Sequence, residues 1–192
     1  MHNLKVINSH FDEHLEVVRT VSELSPKSIE NGAKIIAKSL LNAGTLFWCG
    51  NGGSAADSQH LAAELVGRFK QNRKALRSLA LTVDTSVLTC VANDFSYEDI
   101  FSRQLEALAR NGDVLVGIST SGNSKNVLSA FKMAKDLGVT SIALLGRDGG
   151  QAKSFSDLSI IVPSHSTARI QEMHILIGHI FCDLIEKELG LA

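Results

Sequence analysis

The sequence predicts an α/β fold: a three-layer, doubly wound, five-stranded parallel sheet with two extra helices at its N-terminal end. Short, continuously apolar runs such as residues 45–49 and 113–118 alternate with helical segments, the pattern of strands covered on both faces. Two of these runs end in loops of small, donor-rich residues that lead at once into a helix. The 192 residues, 44% of them hydrophobic, suffice for one well-filled core, and no repeat or linker divides them. A single domain over residues 1–192 is expected, with a helical pair at 1–44 and an α/β core at 45–192.

Leu15, Val18 and Val21 recur at helical spacing within a first helix at residues 6–24. A second helix starts near Ser28, turns Ile35, Ile36, Leu40 and Leu41 inward, and stops at Gly44, which suits a left-handed cap. Pro26 and Pro163 are expected between elements. Residues 45–49 form the first strand and 54–69 a helix; residues 79–83 form the second strand, with 97–109 helical. The third strand covers 113–118 and is followed by a helix from Ser124 to the stop at Gly138. Residues 140–145 and 158–162 complete five strands, and a long helix closes the chain at 167–189.

Basic residues number 19 and acidic 20, so the net charge of −1 lacks the basic excess of a nucleic-acid binder. No apolar run reaches the roughly 18 residues of a membrane span. The start, Met1-His2-Asn3-Leu4-Lys5, has no secretion-signal pattern, so a cytoplasmic protein is expected. Cys49, Cys90 and Cys182 lack CxxC spacing and sit in apolar stretches, which reads as buried structural thiols.

In sheets of this type ligands bind beyond the carboxyl ends of the strands, where strand order reverses. Strand one runs into Gly50-Asn51-Gly52-Gly53-Ser54, and strand three into Ser119-Thr120-Ser121-Gly122-Asn123-Ser124. Small residues let backbone N–H groups approach an anion, and the following helix N-terminus adds about half a positive charge. Ser119, Thr120, Ser121 and Ser124 add four hydroxyl donors. Ser54 and Ser124 read alternatively as helix caps and the glycines as turn formers. Two such loops on strands that are neighbours in a flavodoxin-like order favour a phosphate site. Neither a Walker loop nor GxGxxG occurs, so a sugar phosphate is expected rather than a nucleotide.

His60 and Glu64 share one helix face at i,i+4 on an otherwise apolar helix. The closing helix carries Gln171 and His179, eight residues and about 80° apart, so both can border one cleft. His174 faces elsewhere and reads as structural. Two imidazoles, a carboxylate and an amide oxygen can hold a Zn²⁺-like ion, although glutamine is an uncommon zinc ligand. Interconverting an aldose and a ketose requires one group that takes a proton from carbon and another that moves protons on oxygen. Glu64 and His179 are the candidates. A carboxylate bound to a metal is a poorer base, so the two tasks of Glu64 compete.

The blocks CGNGGSAADSQHLAAELVGRF, VANDFSYEDIFSRQ, GDVLVGISTSGNS and ARIQEMHILIGHI together resemble the phosphoheptose isomerases, within the wider sugar isomerase (SIS) fold, over essentially the whole chain. The resemblance implies isomerisation of sedoheptulose 7-phosphate to D-glycero-D-manno-heptose 7-phosphate, the first step towards the ADP- or GDP-heptose of lipopolysaccharide or surface polysaccharide. It implies one zinc per subunit on His60, Glu64, Gln171 and His179, with Glu64 and His179 as acid and base. Substrate contacts are implied for Asn51, Gly52, Gly53, Asn93, Asp94, Ser119, Thr120, Ser121, Ser124 and Gln171; Ser54 and Glu64 complete the candidate set. A homotetramer with sites at subunit interfaces is implied too, which would give the N-terminal helices their purpose. Ala168 stands where some members carry an aspartate, so an orienting role there is missing or unnecessary.

Some SIS proteins are regulators that bind a replication initiator, and their closing segment is similar to VPSHSTARIQEMHIL here. Such a regulator lacks counterparts of Glu64 and His179, both present in this chain, so the enzyme reading is favoured. An SIS isomerase for a pentose or hexose phosphate would use the same kind of phosphate loop.

Overall fold

Alternating residues of the apolar runs fill two separate layers, and this makes the sheet the centre of the molecule. The computed structural model describes residues 2–191. β1 (Leu46–Gly50), β2 (Ser78–Ala80), β3 (Val114–Ser119), β4 (Thr140–Gly146) and β5 (Leu158–Val162) form a sheet ordered β2-β1-β3-β4-β5. All four pairings are parallel. β1 and β3 are buried throughout, as their unbroken hydrophobicity predicts, whereas the edge strands β2 and β5 are only partly buried. Trp48, Val116, Ile118 and Leu144 face one core, and Phe47, Cys49, Leu115 and Leu145 face the other.

The first core is covered by α3 (Gly53–Val66), α8 (Thr167–Glu188) and α2 (Pro26–Leu41), with Val17 and Val21 of α1 (His2–Leu24) packed beneath. The second is covered mainly by α5 (Ser102–Leu108) and α6 (Lys125–Asp136). The smaller α4 (Thr85–Asp94) and α7 (Ala152–Phe155) border that face. α2 and the C-terminal end of α1 are therefore part of this core, while the first half of α1 stays exposed.

Several expectations need correction. Leu41 is exposed rather than turned inward, and Ala43 with φ 63°, not Gly44, takes the left-handed position after α2. Pro26 lies in the first turn of α2, where its missing N–H costs nothing, rather than between elements. The second strand is three residues long, and the segment after it folds as α4. Asp84 caps that helix by accepting from the Val87 amide at 3.0 Å. The helix foreseen at 97–109 is a 3₁₀ turn at Tyr97–Asp99 followed, after a break, by α5. Cys90 is exposed on α4, whereas Cys49 and Cys182 are buried with thiols pushed up to about 12 by desolvation.

Candidate active site

β1 and β3 are adjacent, so their C-terminal loops meet. Asn51 and Asn126, the latter in the first turn of α6, exchange two amide hydrogen bonds of 2.8 Å. Tyr97 donates to Asn51 Oδ1 at 3.0 Å and closes the edge of the same cluster. In the serine-rich loop the Ser119 and Ser124 hydroxyls lie 3.0 Å apart, and Gly122 N–H donates to Ser119 Oγ at 3.1 Å. Ser124 occupies the N-cap position of α6 without using its side chain to cap it. Its hydroxyl is thus available to a ligand. Among the described residues no chain acceptor takes the amides of Thr120, Ser121 and Ser124, which together with the α6 terminus form a concentrated set of anion donors.

The first loop contributes Gly52 and Gly53, both exposed, at the start of α3, while Ser54 is buried behind them. Gln171 packs directly on this turn: a methyl group on Gly53 would come within 2.5 Å of Gln171 Nε2. A cleft of about 240 Å³, lined by Asn51, Gly52, Thr82, Leu88 and Tyr97 among others, opens beside the turn. That is smaller than the ~300–1,000 Å³ typical of ligand sites.

α3 and α8 run side by side in the same direction, so equivalent levels of the two helices meet. Gly53 sits by Gln171 and Leu61 by Gly178, where a methyl would fall 2.4 Å from the leucine. One level along, His60, Glu64 and His179 bring their ligand atoms within 4.8 Å of one another. His60 Nε2 is 3.2 Å from Glu64 Oε1 and 3.2 Å from His179 Nε2. Two Nε2 atoms facing each other admit one proton or one cation between them, and Glu64 supplies the negative charge. The cluster is half open: the His60 side chain is 50% exposed and Glu64 26%. Phe69 stacks on the outer face of His179, with ring centres 5.6 Å apart and planes 17° apart.

Of the candidate site residues, the chain gathers Asn51, Gly52, Gly53, Ser119, Thr120, Ser121, Ser124 and Gln171 around the phosphate-type loops. His60, Glu64 and His179 gather some two helical turns further on. Gln171 is eight positions before His179, about 12 Å up α8, so it belongs to the loop end of the cleft. Asn93 and Asp94 end α4 exposed, and their side-chain hydrogen bonds among the described residues are with each other and with Cys90. His174 is fully buried and bonds the Leu145 carbonyl at 3.0 Å, a structural role. Desolvation pushes its imidazole down to about 4 despite that bond. Asp57, one turn before His60, has a half-buried carboxyl raised by desolvation and partly lowered again by His60. Sequence reasoning did not single out Asn126, Tyr97 or Phe69. Their roles rest on contacts between distant segments, which no local pattern signals.

The SIS domain family matches residues 9–146. A phosphoheptose isomerase of Helicobacter hepaticus is 52% identical over 96% of this chain and 94% of its own length. One from Clostridium acetobutylicum is also 52% identical, over 92% of this chain and 85% of its own. Among solved structures, the Neisseria gonorrhoeae phosphoheptose isomerase superposes with a TM-score of 0.92 at 43% identity, covering 96% of this chain and 98% of that one. The Francisella tularensis enzyme gives 0.94 at 37% identity over 97% and 100%.

Proposed function

Since the chain belongs to the phosphoheptose isomerases of the SIS domain family, we propose that Glu64 and His179 carry the proton transfers that convert sedoheptulose 7-phosphate to D-glycero-D-manno-heptose 7-phosphate. The protein is an isomerase of heptose biosynthesis, serving ADP- or GDP-heptose formation for lipopolysaccharide or surface polysaccharide. The observation that carries the assignment of residues is the convergence of a carboxylate and two imidazoles, some two helical turns along α3 from the loops rich in free donors. Nothing in these likenesses supports the alternative of a regulator that binds a replication initiator.

The phosphate takes the amides and hydroxyls of Ser119, Thr120, Ser121 and Ser124, with Asn51, Gly52, Gly53 and Ser54 on the facing turn. Gln171 contacts the sugar between the two ends, and Asn93 and Asp94 bind hydroxyls.

Glu64 removes a proton from C1 of the ketose while His179 donates one to O2, giving the 1,2-enediol. His179 then recovers the O1 proton, and Glu64 returns its proton to C2. Both groups end as they began. Glu64 Oε1 lies 3.2 Å from His60 Nε2, and the carbon proton is assigned to Oε2.

The donor set also fits zinc: two imidazoles and a carboxylate with ligand atoms within 4.8 Å suit its N/O preference. His60, Glu64 and His179 would hold the ion, one zinc per subunit; Gln171, the fourth ligand expected from the sequence, packs on Gly53 about 12 Å along α8 from His179 and is not gathered with them. When bound, zinc polarises substrate oxygens as a Lewis acid.

The chain is proposed to be one domain over residues 1–192 that assembles as a homotetramer, with sites at subunit interfaces. Support comes from the apolar stripe Leu4, Ile7, Phe11 and Leu15 left exposed on α1. An apolar groove of about 460 Å³ between α1, α2 and α8 adds to it. A cytoplasmic location is proposed as well, and no helix among the described residues is long and apolar enough to cross a membrane.

The test is turnover of sedoheptulose 7-phosphate in D₂O followed by NMR, with and without zinc. The expected product is the aldose, carrying deuterium at C2 in those turnovers in which the Glu64 carboxyl exchanges its proton with solvent before returning it, and chelator is expected to lower the rate. No turnover under either condition would overturn the reading.

A further inference from the structure

The mechanism above leaves unused a buried ion pair at the far end of the two helices that carry the acid and base. Arg73 and Glu186 join through Arg73 Nε and Glu186 Oε1 at 2.9 Å, with side chains only 3% and 1% exposed. A buried pair of charges is costly to form unless further hydrogen bonds complete it, and here they do.

The Arg73 guanidinium occupies the C-terminal end of α3. Its Nη2 donates to the Glu64 carbonyl at 2.9 Å and its Nη1 to the Leu65 carbonyl at 2.7 Å. It also reaches the Gly67 carbonyl at 3.2 Å. These are carbonyls that a helix end leaves without partners, and a cation there complements the negative end of the helix dipole. One of the capped residues is the proposed base itself.

Glu186 lies seven residues after His179 on α8, two turns on and on the same face. Besides Arg73 it accepts the amides of Phe69 at 3.3 Å, Lys70 at 3.3 Å and Gln71 at 3.4 Å. Burial alone would raise its carboxyl. The Lys70 and Phe69 amides, then Arg73 and Gln71, outweigh that and hold it below the ordinary carboxylate range. The segment 67–73 is thereby strapped to α8, and it is this strap that lays the Phe69 ring on His179. Lys70 adds a rim contact to Asp183 at 2.8 Å.

We propose that Arg73, Glu186 and Phe69 are positioning residues for the isomerisation: a buried clamp that fixes the helix of Glu64 to the helix of His179 and sets the plane of the His179 imidazole. The proposal rests on the assignment of Glu64 and His179 as the acid and base. None of the three clamp residues belongs to the serine-rich loop, so they act on the chemical step and not on phosphate binding.

The test pairs two mild variants. Arg73→Lys keeps the charge but loses the planar fork that serves the Glu64, Leu65 and Gly67 carbonyls and a carboxylate at once. Phe69→Leu keeps an apolar side chain, removes the ring and leaves the Arg73–Glu186 pair intact, so it reports even if Arg73→Lys folds poorly. Both are expected to lower kcat for sedoheptulose 7-phosphate at least tenfold while KM stays within about threefold. In metal-free protein, the His179 ring protons are expected to lose the ring-current shift of Phe69 in Phe69→Leu and to change it in Arg73→Lys. That arm needs no turnover, so it succeeds or fails independently of the catalytic assignment. A folded Arg73→Lys with an unchanged His179 spectrum would overturn the proposal. So would a rise in KM that accounts for the whole loss of kcat/KM in Phe69→Leu.

Discussion

Gly122→Ala is the substitution whose consequence follows most directly from the structure. Gly122 has φ +65°, and an added methyl would fall 2.0 Å from the carbonyl oxygen of Gly149 and 2.9 Å from Gly150 N. The left-handed backbone costs an alanine about 1–2 kcal/mol. The clash is with backbone, which cannot rotate away, and forcing extra volume into such a contact costs about 1–3 kcal/mol more. A total near 3 kcal/mol lowers Tm by about 6–12 °C in a chain of this size. Gly122 N–H also holds Ser119 Oγ, so the shift moves the phosphate-binding hydroxyls and KM rises. Gly112→Ala is the control: φ is +92° there, but nothing lies within 4 Å of the new methyl. Only the conformational cost of about 1–2 kcal/mol remains. Thermal unfolding and steady-state kinetics on both variants decide the matter. Equal losses of Tm, with an unchanged KM in Gly122→Ala, would refute the reasoning.

His174 predicts an acid limb of stability. The unfolded chain takes up its proton near the ordinary imidazole value of 6.5, whereas the folded protein refuses it until about 4. Stability therefore falls as pH drops through that window, by up to ~3 kcal/mol, and urea titrations of wild type and His174→Gln should differ in slope there. A native protein treated with a thiol reagent should show one reactive cysteine, Cys90, and all three only after unfolding, since Cys49 and Cys182 are buried. Rapid labelling of all three in the folded state would contradict the packing. Gly53→Ala should displace the Gln171 amide that packs on it, raising KM several-fold with little change in Tm. An unchanged KM would remove Gln171 from the substrate's path.

The sheet was legible because β1, β3 and β4 are buried on both faces, which leaves unbroken apolar runs that no surface helix shows. β5, an edge strand only partly buried, was placed to the residue by its Ile160-Ile161-Val162 run and by Pro163 just beyond it. α4 was not foreseen, because Thr85, Val87, Thr89 and Val91 are β-branched and favour strands locally. The Asp84 cap and packing against the 3₁₀ turn override that preference. The apolar neighbours of Cys90 suggested burial, but they line the other side of α4. In the site, i,i+4 spacing on α3 found His60 and Glu64. The spacing of Gln171 and His179 placed both on one cleft but said nothing of level, and level separates them: Gln171 stands at the phosphate loop, His179 at the proton-transfer end. Arg73 and Glu186 were invisible locally, because two charges 113 positions apart in sequence look like surface residues until the fold pairs them.

The central claim is that Glu64 moves the proton between carbons. The most direct measurement is the Glu64→Gln variant incubated with sedoheptulose 7-phosphate in D₂O, following both aldose formation and deuterium entry at carbon. The account predicts a loss of ~10²–10⁴ in kcat, exchange suppressed in parallel, and an unchanged fold. A Glu64→Gln protein that isomerises and exchanges at the wild-type rate would contradict it.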